Sequence, residues 1–385
     1  SSEPLEFCQI PDQRIAVTEN LAIAHPVTPQ QGFAGIGTEK VVVVGIDFSD
    51  VPGTGSAKDM FQPEIEKASR WLKWYSNDKL KINFLTHDKW IRAPKPSPNY
   101  EAGDHGESLG GLTQDQVAAD YLSAIEKVVD IRNTAAVWIV LPKDISTIKG
   151  QYVTRWANYK SSKYGSINSQ IYAISSQTIQ YQKIWSYFLH EHLHAEGLHG
   201  HFPQNPEMIG LMYWDEAPSR VLNSWDQITM NWLLPRQLYC ADAKKLQSVD
   251  VNLIPMEREQ LGIRSIMVKL SASRILVVES HRKDFWSPGL HPGFAGIMAY
   301  IVDTTINPSY EPVPITTGMY VRFGFENHGL SQPVFREVSP TSRVALASWS
   351  LSDVMFQGES FTVEGIKISL LKSGSFDSVR LEKAS

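Results

Sequence analysis

Val41-Val42-Val43-Val44-Gly45-Ile46-Asp47-Phe48 is a continuous, mostly β-branched run that stops at the turn-forming residues Ser49-Asp50-Val51-Pro52-Gly53. A run of apolar residues without polar alternation is typical of a central strand that is covered on both faces. This stretch therefore predicts a sheet with layers packed on either side of it.

Strands and helices alternate on the C-terminal side of this run. The repeating order indicates α/β layer packing around one central mixed sheet. The first predicted helix has Phe61, Ile65, Ala68, Leu72 and Tyr75 on its apolar face, and a strand at 80–84 and a surface loop at 91–112 follow it. A second helix follows Thr113, with Val117, Tyr121, Ala124 and Val128 on one face. Strands at 135–141 and 171–174 come next, and the last helix covers 181–196 and ends at Gly197.

The character of the sequence changes near residue 240, after which short strand-like runs follow one another between turns. An all-β region of one or two sandwich-like units is the natural interpretation. We expect an α+β fold with an irregular lead-in at 1–38, a globular domain at 39–240 and the all-β region at 241–385. The strand-like runs lie at 249–251, 265–268, 275–278, 297–302 and 361–363.

Composition narrows the class of protein. The 385 residues are 42% hydrophobic and 20% charged, which is ordinary for a globular protein, and the net charge of −5 argues against nucleic-acid binding. No apolar run reaches the roughly 18 residues of a membrane helix.

The start at Ser1, without Met or leader, leads us to expect a mature or trimmed chain. Cys8 and Cys240 form either one long-range disulfide or two buried thiols.

Five of the eleven histidines fall between His190 and His201, in the pattern His190-Glu191-His192-Leu193-His194. On a helix, His190 and His194 lie within roughly 40° of each other and one turn apart, so both rings can reach one ion. Glu191 is rotated by about 100° from His190, and His192 points to nearly the opposite side. The spacing predicts His190 and His194 as metal ligands and excludes His192.

This donor set suits zinc, because neutral imidazole is a preferred Zn²⁺ ligand and three protein ligands leave a fourth position for water. Zinc lowers the pKa of that water, and Glu191 beside it can act as general base. The motif occurs by chance in other chains, so a His-rich segment without catalytic role is the alternative. A buried helix, indicated by Trp185, Phe188, Leu189 and Leu193, favours the catalytic interpretation.

The third ligand follows Gly197 at an unusual spacing. The metzincin pattern places it six residues after His194, where this chain has Gly200. We favour His201, because one extra residue can be absorbed as a bulge, and His199 remains an alternative. Glu216, in a loosely thermolysin-like Asp-Glu-x-x-Ser setting, is a second alternative.

Two further roles near the motif have candidate residues. Met212, or else Met208, could form the methionine turn beneath the metal, although core-filling methionines are an equal alternative. Tyr213, next to Met212, could reach the oxyanion and is the second candidate catalytic residue beside Glu191.

Several stretches together resemble the M6 metallopeptidases, the immune inhibitor A-like group of secreted bacterial proteases. The strongest likeness is His190 to Leu198, which matches a His-Glu-x-x-His-x-x-Gly-Leu core. The looser matches lie at 41–50, 74–81, 223–233, 277–282 and 296–303. The resemblance implies a zincin-like catalytic domain at 39–240, His190 and His194 as zinc ligands, Glu191 as base, secretion, and structural Ca²⁺ with Asp47, Asp50 and Asp104 as candidate ligands.

We therefore expect a secreted, monomeric zinc endopeptidase that acts on protein or peptide substrates, with neither a nucleic-acid partner nor a membrane span. Gly200 favours an alternative, a peptidase-like binding module that has lost its metal site and uses its β region for attachment. A His-rich metal-storage site is a third hypothesis, but it has no need of Glu191.

Overall fold

The computed structural model describes residues 2–15, 24–103, 108–148, 152–174, 184–198, 211, 220–290, 295–305, 335–338 and 354–384. The chain is a mixed α/β protein with several sheets and few helices among these residues. The α-helices are α1 (Leu5–Cys8), α2 (Ala57–Tyr75), α3 (Gln114–Ile125), α4 (Ile184–Ala195) and α5 (Ser224–Thr229). The strands are β1 (Gly37–Asp47), β2 (Leu80–Arg92), β3 (Ala136–Val140), β4 (Tyr152–Ser161), β5 (Gly165–Ile174), β6 (Leu238–Asp242), β7 (Val249–Leu253), β8 (Ser265–Lys269), β9 (Arg274–His281), β10 (Gly296–Asp303), β11 (Phe335–Val338), β12 (Val354–Met355), β13 (Ser360–Val363), β14 (Ile366–Lys372) and β15 (Asp377–Lys383).

The chain divides into two compact units. One unit spans Thr28–Gly197, and the other combines Ser1–Val27 with Leu198–Ser385. This division differs from the predicted domains at 1–38, 39–240 and 241–385, because residues 198–240 group with the later strands and the first 27 residues join them. Among the described residues, no helix combines the length and the apolar character that a membrane crossing requires.

The unit Thr28–Gly197 is built on a five-stranded mixed sheet in the order β2-β1-β3-β5-β4. The strands β2, β1, β3 and β5 run parallel to one another, and β4 runs antiparallel to β5. Val41 to Val44 are fully buried between β2 and β3, so the prediction of a central covered strand is confirmed.

Alternate side chains of the central strand serve two apolar layers. Val42 and Val44 pack with Val117 and Tyr121 of α3 on one face of the sheet. On the other face the Trp138 ring of β3 stacks on Phe188 of α4, and α4 also contacts α2. Thr113 is the N-cap residue of α3, where the sequence predicted the helix to start, and it forms a full capping box with Gln116.

One detail of this helix differs from the sequence prediction. Helix α3 ends at Ile125, and Val128 is 49% exposed, so its assignment to the buried face is wrong. The turn at residues 126–129 replaces the helical periodicity on which that assignment relied.

The other unit contains two sheets. One is a six-stranded sheet in the order β11-β10-β9-β8-β6 with β12 against β10, and the other has the order β13-β14-β15-β7. Leu276 and Val278 of β9 pack with Ile368 and Leu381 of the second sheet, so the two sheets share one apolar core. Residues 243–290, 295–305 and 354–384 hold no α-helix, in line with the predicted all-β character.

The opposite face of the six-stranded sheet is covered by α1 and α5. Val277 of β9 and Tyr300 of β10 belong to this second core, together with Trp225 of α5. Cys8 of α1 is disulfide-bonded to Cys240 of β6, which settles the choice between a disulfide and two thiols. The bond ties the N-terminal segment to a strand that lies 232 residues away in sequence.

Candidate metal centre

Helix α4 carries the histidine motif and is held firmly in its unit. The backbone N–H of Trp185 donates to Oε2 of Glu64 on α2 at 2.9 Å, and the Phe188 and Trp138 rings lie 4.8 Å apart and nearly parallel. Gly197 follows the helix with a φ of 118°, a conformation that L-residues with side chains avoid. The predicted stop at Gly197 is confirmed, and it turns the chain away from the helix axis.

His190 and His194 come together on one face of α4. Their Nε2 atoms are 3.0 Å apart, and the two rings are almost perpendicular. Both side chains are buried, with 1% and 7% of their surface exposed. Two imidazole nitrogens bound to one tetrahedral zinc at about 2.0–2.1 Å stand about 3.3 Å apart, so this pair fits a shared metal ion with little movement.

Glu191 occupies a different environment from the rest of α4. It is the one residue between Ile184 and Ala195 that is not buried. Its backbone carbonyl accepts a hydrogen bond from the Tyr172 hydroxyl at 3.2 Å, which fixes the helix at that point to β5. Glu191 is therefore the partly exposed position of this helix, directly next to His190 in sequence.

The remaining predicted site residues lie outside the described part of the chain. They are the third-ligand candidates His199, His201 and Glu216, the oxyanion candidate Tyr213, the methionine-turn candidates Met208 and Met212, and the calcium candidate Asp104. Their roles stay predictions.

His192 faces away from the pair and enters a buried polar cluster. Its Nε2 lies 2.8 Å from Oε2 of Glu39 on β1 and 3.4 Å from Oε1 of Glu196. The second oxygen of Glu39 accepts the N–H of Ala34, and Oε2 of Glu196 accepts the N–H of Gly35 at 2.7 Å. All three side chains are at least 95% buried, and we call them the Glu39–His192–Glu196 triad.

The triad places the imidazole of His192 between two carboxyl groups. Burial alone would lower the pKa of His192, but the hydrogen bonds and charges of Glu196 and Glu39 outweigh it and raise the pKa to about 9. Burial opposes ionisation of Glu39, but its contact with His192 lowers the pKa of that carboxyl. Burial and the nearby Glu39 raise the pKa of Glu196 to about 7. The two glutamates therefore favour the protonated form of His192.

The same three side chains could hold a metal ion, since their ligand atoms lie within 4.8 Å of one another. A metal would compete with the proton on His192, and burial on all sides would make the site closed, as structural rather than catalytic sites are. The prediction that His192 points away from the His190 and His194 pair agrees with its position.

Glu39 and Glu196 were not predicted as site residues. A local signal existed for one of them, because His192 and Glu196 are four residues apart on the apolar side of a predicted buried helix. Glu39 joins them from 153 residues away, and only its position at the start of a buried strand hints at a role.

The two calcium candidates within the described residues already have protein partners. Asp47 accepts hydrogen bonds from the Arg92 guanidinium, with Nε at 2.7 Å, and from the N–H of Gly53. Asp50 accepts bonds from the N–H and hydroxyl of Ser97 at 2.7 and 2.6 Å. Asp47 is therefore part of an ion pair with Arg92, and the Asp50 carboxylate closes a loop by binding Ser97.

A second histidine between two glutamates lies in the other compact unit. His281 contacts Oε1 of Glu257 through Nδ1 at 2.7 Å and Oε1 of Glu279 through Nε2 at 3.0 Å, and all three residues are fully buried. Burial would lower the pKa of His281, but the two glutamates raise it to about 10. This cluster is chemically matched to the first, but it is remote in sequence from the His190 and His194 pair.

No protein-family model matches this sequence, and comparison with curated proteins finds no match either. The resemblance to the immune inhibitor A-like peptidases therefore stays a prediction.

Proposed function

We propose that this protein is a secreted zinc-dependent endopeptidase with a zincin-like catalytic unit, related to the M6 peptidases. The observation that carries the proposal is the pair His190 and His194, whose Nε2 atoms converge to 3.0 Å on one face of the buried helix α4. The central mixed sheet of the same unit is compatible with a zincin-like catalytic unit.

His190 and His194 would hold the zinc, with His201 as the favoured third ligand and His199 or Glu216 as alternatives. A zinc ion bound there would polarise the scissile carbonyl and lower the pKa of an attacking water. Glu191 would accept the proton of that water and pass it to the leaving amine. Its partial exposure beside two buried histidines supports this role, since a general base must meet both water and substrate. Tyr213 remains the candidate for stabilising the oxyanion.

Secretion is part of the proposal and is compatible with the Cys8–Cys240 disulfide, because such bonds persist mainly in oxidising compartments. Protein or peptide substrates, a monomeric state and structural Ca²⁺ are likewise proposals that rest on the resemblance.

The test combines zinc analysis with digestion of a casein-type substrate by the purified chain. We expect about one catalytic zinc per wild-type chain. Glu191→Gln should keep that zinc but lose roughly 10²- to 10⁴-fold in rate. Glu66→Gln, at an exposed glutamate of α2, is the matched control and should retain full activity. A wild-type chain without stoichiometric zinc would end the proposal, and a fully active Glu191→Gln would end the assignment of the base.

The third ligand is tested separately. His201→Ala should lose zinc while His199→Ala keeps it, and the reverse result would move the assignment to His199. If both variants retained zinc, Glu216 would become the favoured third ligand.

The competing function is a binding module with a degraded site. Gly200, which stands where the metzincin pattern has its third ligand, is the observation that favours it. A wild-type chain that digests no substrate and binds no zinc, but retains its fold, would support this alternative.

A further inference from the structure

Helix α4 presents two polar stripes on opposite faces. His190 and His194 form one, while His192 and Glu196, which directly follows the last helical residue Ala195, form the other, displaced by about 160° around the axis. Both stripes use a spacing of four residues, so each runs along the helix as a line. Because they belong to one rigid helix, the rotation that seats the second stripe also sets the direction of the first.

The second stripe is seated by contacts of specific geometry. Nε2 of His192 meets Oε2 of Glu39 at 2.8 Å, and the His192 ring lies edge-on to Trp138 and Phe33 with centroid distances of 5.7 and 5.0 Å. Apolar side chains tolerate small rotations, but a buried polar group tolerates little loss of its hydrogen-bond partner. The triad therefore restricts rotation of α4 more tightly than an apolar stripe would.

The segment at residues 30–35 secures the C-terminal end of the helix. Gln30 donates its N–H to the carbonyl of Ala195 at 2.8 Å, and Gly35 donates to Glu196 at 2.7 Å. Gly35 has a φ of 65°, and a Cβ there would come 2.9 Å from Pro29, so the segment depends on glycine for this approach. The last turn of α4, which contains His194, is thereby fixed in place.

We propose that the Glu39–His192–Glu196 triad is a positioning device that holds α4 in the rotation at which His190 and His194 share a metal ion. The proposal rests on the proposed function, because it assigns the zinc to that pair. None of the three residues touches the metal or the substrate in this role. They act through the helix, in the way that groups behind metal ligands tune affinity by holding the ligands in orientation.

The test measures zinc affinity by chelator competition in Glu39→Gln, a variant that keeps the shape of the side chain but removes its charge. We expect zinc to bind 10- to 100-fold more weakly than in the wild type, which is the usual effect of losing a group behind a metal ligand. The number of zinc ions per chain should stay the same, and the far-ultraviolet circular dichroism should show a folded protein.

Glu257→Gln is the matched control. It removes the corresponding charge from the buried His281 cluster of the other unit, so it should lower the melting temperature without changing zinc affinity. If Glu39→Gln does not fold, the triple variant Glu39→Leu, His192→Leu, Glu196→Leu removes all three ionisable side chains together and leaves none of them buried without its partner. We expect the same weakening of zinc binding in that variant.

The outcomes separate the two proposals. Unchanged zinc affinity in folded Glu39→Gln, or an equal loss in Glu257→Gln, would overturn the positioning role and leave the proposed function standing. Loss of a second metal equivalent in Glu39→Gln would also overturn it, since the triad would then be a metal site itself. A wild-type chain that binds no zinc would overturn both.

Discussion

Replacing Phe188 by alanine tests how α4 is held on the sheet. Phe188 and Trp138 are both fully buried, and their rings are stacked at 4.8 Å with an angle of 9° between planes. Truncation of a buried phenylalanine costs about 3–5 kcal/mol, of which an aromatic pair accounts for about 0.5–1.5 kcal/mol. We therefore expect Phe188→Ala to lower the free energy of unfolding by about 4 kcal/mol. Phe188→Leu, which keeps most of the volume, should lose about 1–2 kcal/mol.

The assay is guanidinium denaturation followed by tryptophan fluorescence, with hydrogen exchange of the β3 amides to locate the loss. Phe376→Ala is the control, because this phenylalanine is 36% exposed and its removal should cost about 1 kcal/mol or less. If Phe188→Ala lost less than about 1 kcal/mol, or no more than Phe376→Ala, then α4 could not be packed on β3 through this pair.

Two further predictions concern the other compact unit. The pKa of His281 is raised to about 10 in the folded chain, so its contribution to stability is complete below about pH 6.5 and is lost as the pH rises towards 10. The free energy of unfolding should fall over that interval, and urea denaturation should show a smaller fall in His281→Gln; equal slopes would contradict the assignment. Reduction of Cys8–Cys240, which closes a very long loop, should cost about 2–5 kcal/mol and lower the melting temperature. The double variant Cys8→Ala, Cys240→Ala should have the same lowered melting temperature with and without reductant. A wild-type melting temperature that does not change on addition of reductant would refute this prediction.

The buried centre of the sheet was predictable because local sequence determines it. Val41 to Val44 are apolar on both faces, and only a strand flanked by other strands and covered by helices satisfies such a run. The helix after Thr113 was equally clear, since its capping box is a local pattern.

The edges of the same sheet were less predictable. Strand β2 continues to Arg92, well beyond the predicted 80–84, and most of its side chains are exposed or half-buried. Strand β4 was missed altogether, and among the described residues it pairs with a strand on one side only. An edge strand needs no apolar stripe on each face, because pairing with its neighbour determines its structure, and pairing is not a local property of the sequence.

The metal motif shows the same difference between what local sequence determines and what only the fold determines, here for single residues. The pairing of His190 with His194 follows from helical periodicity alone, and their converging nitrogens agree with it. His192 lies within the same five residues, yet its partner Glu39 belongs to another strand and contributes a contact that no spacing rule contains. An ionisable pair at positions i and i+4 on the apolar side of a helix still carries information, because burial requires a partner of opposite charge. For α4 the pair indicates a buried polar cluster, but His192 and Glu196 can satisfy each other, so the participation of Glu39 follows only from the position of β1 in the fold.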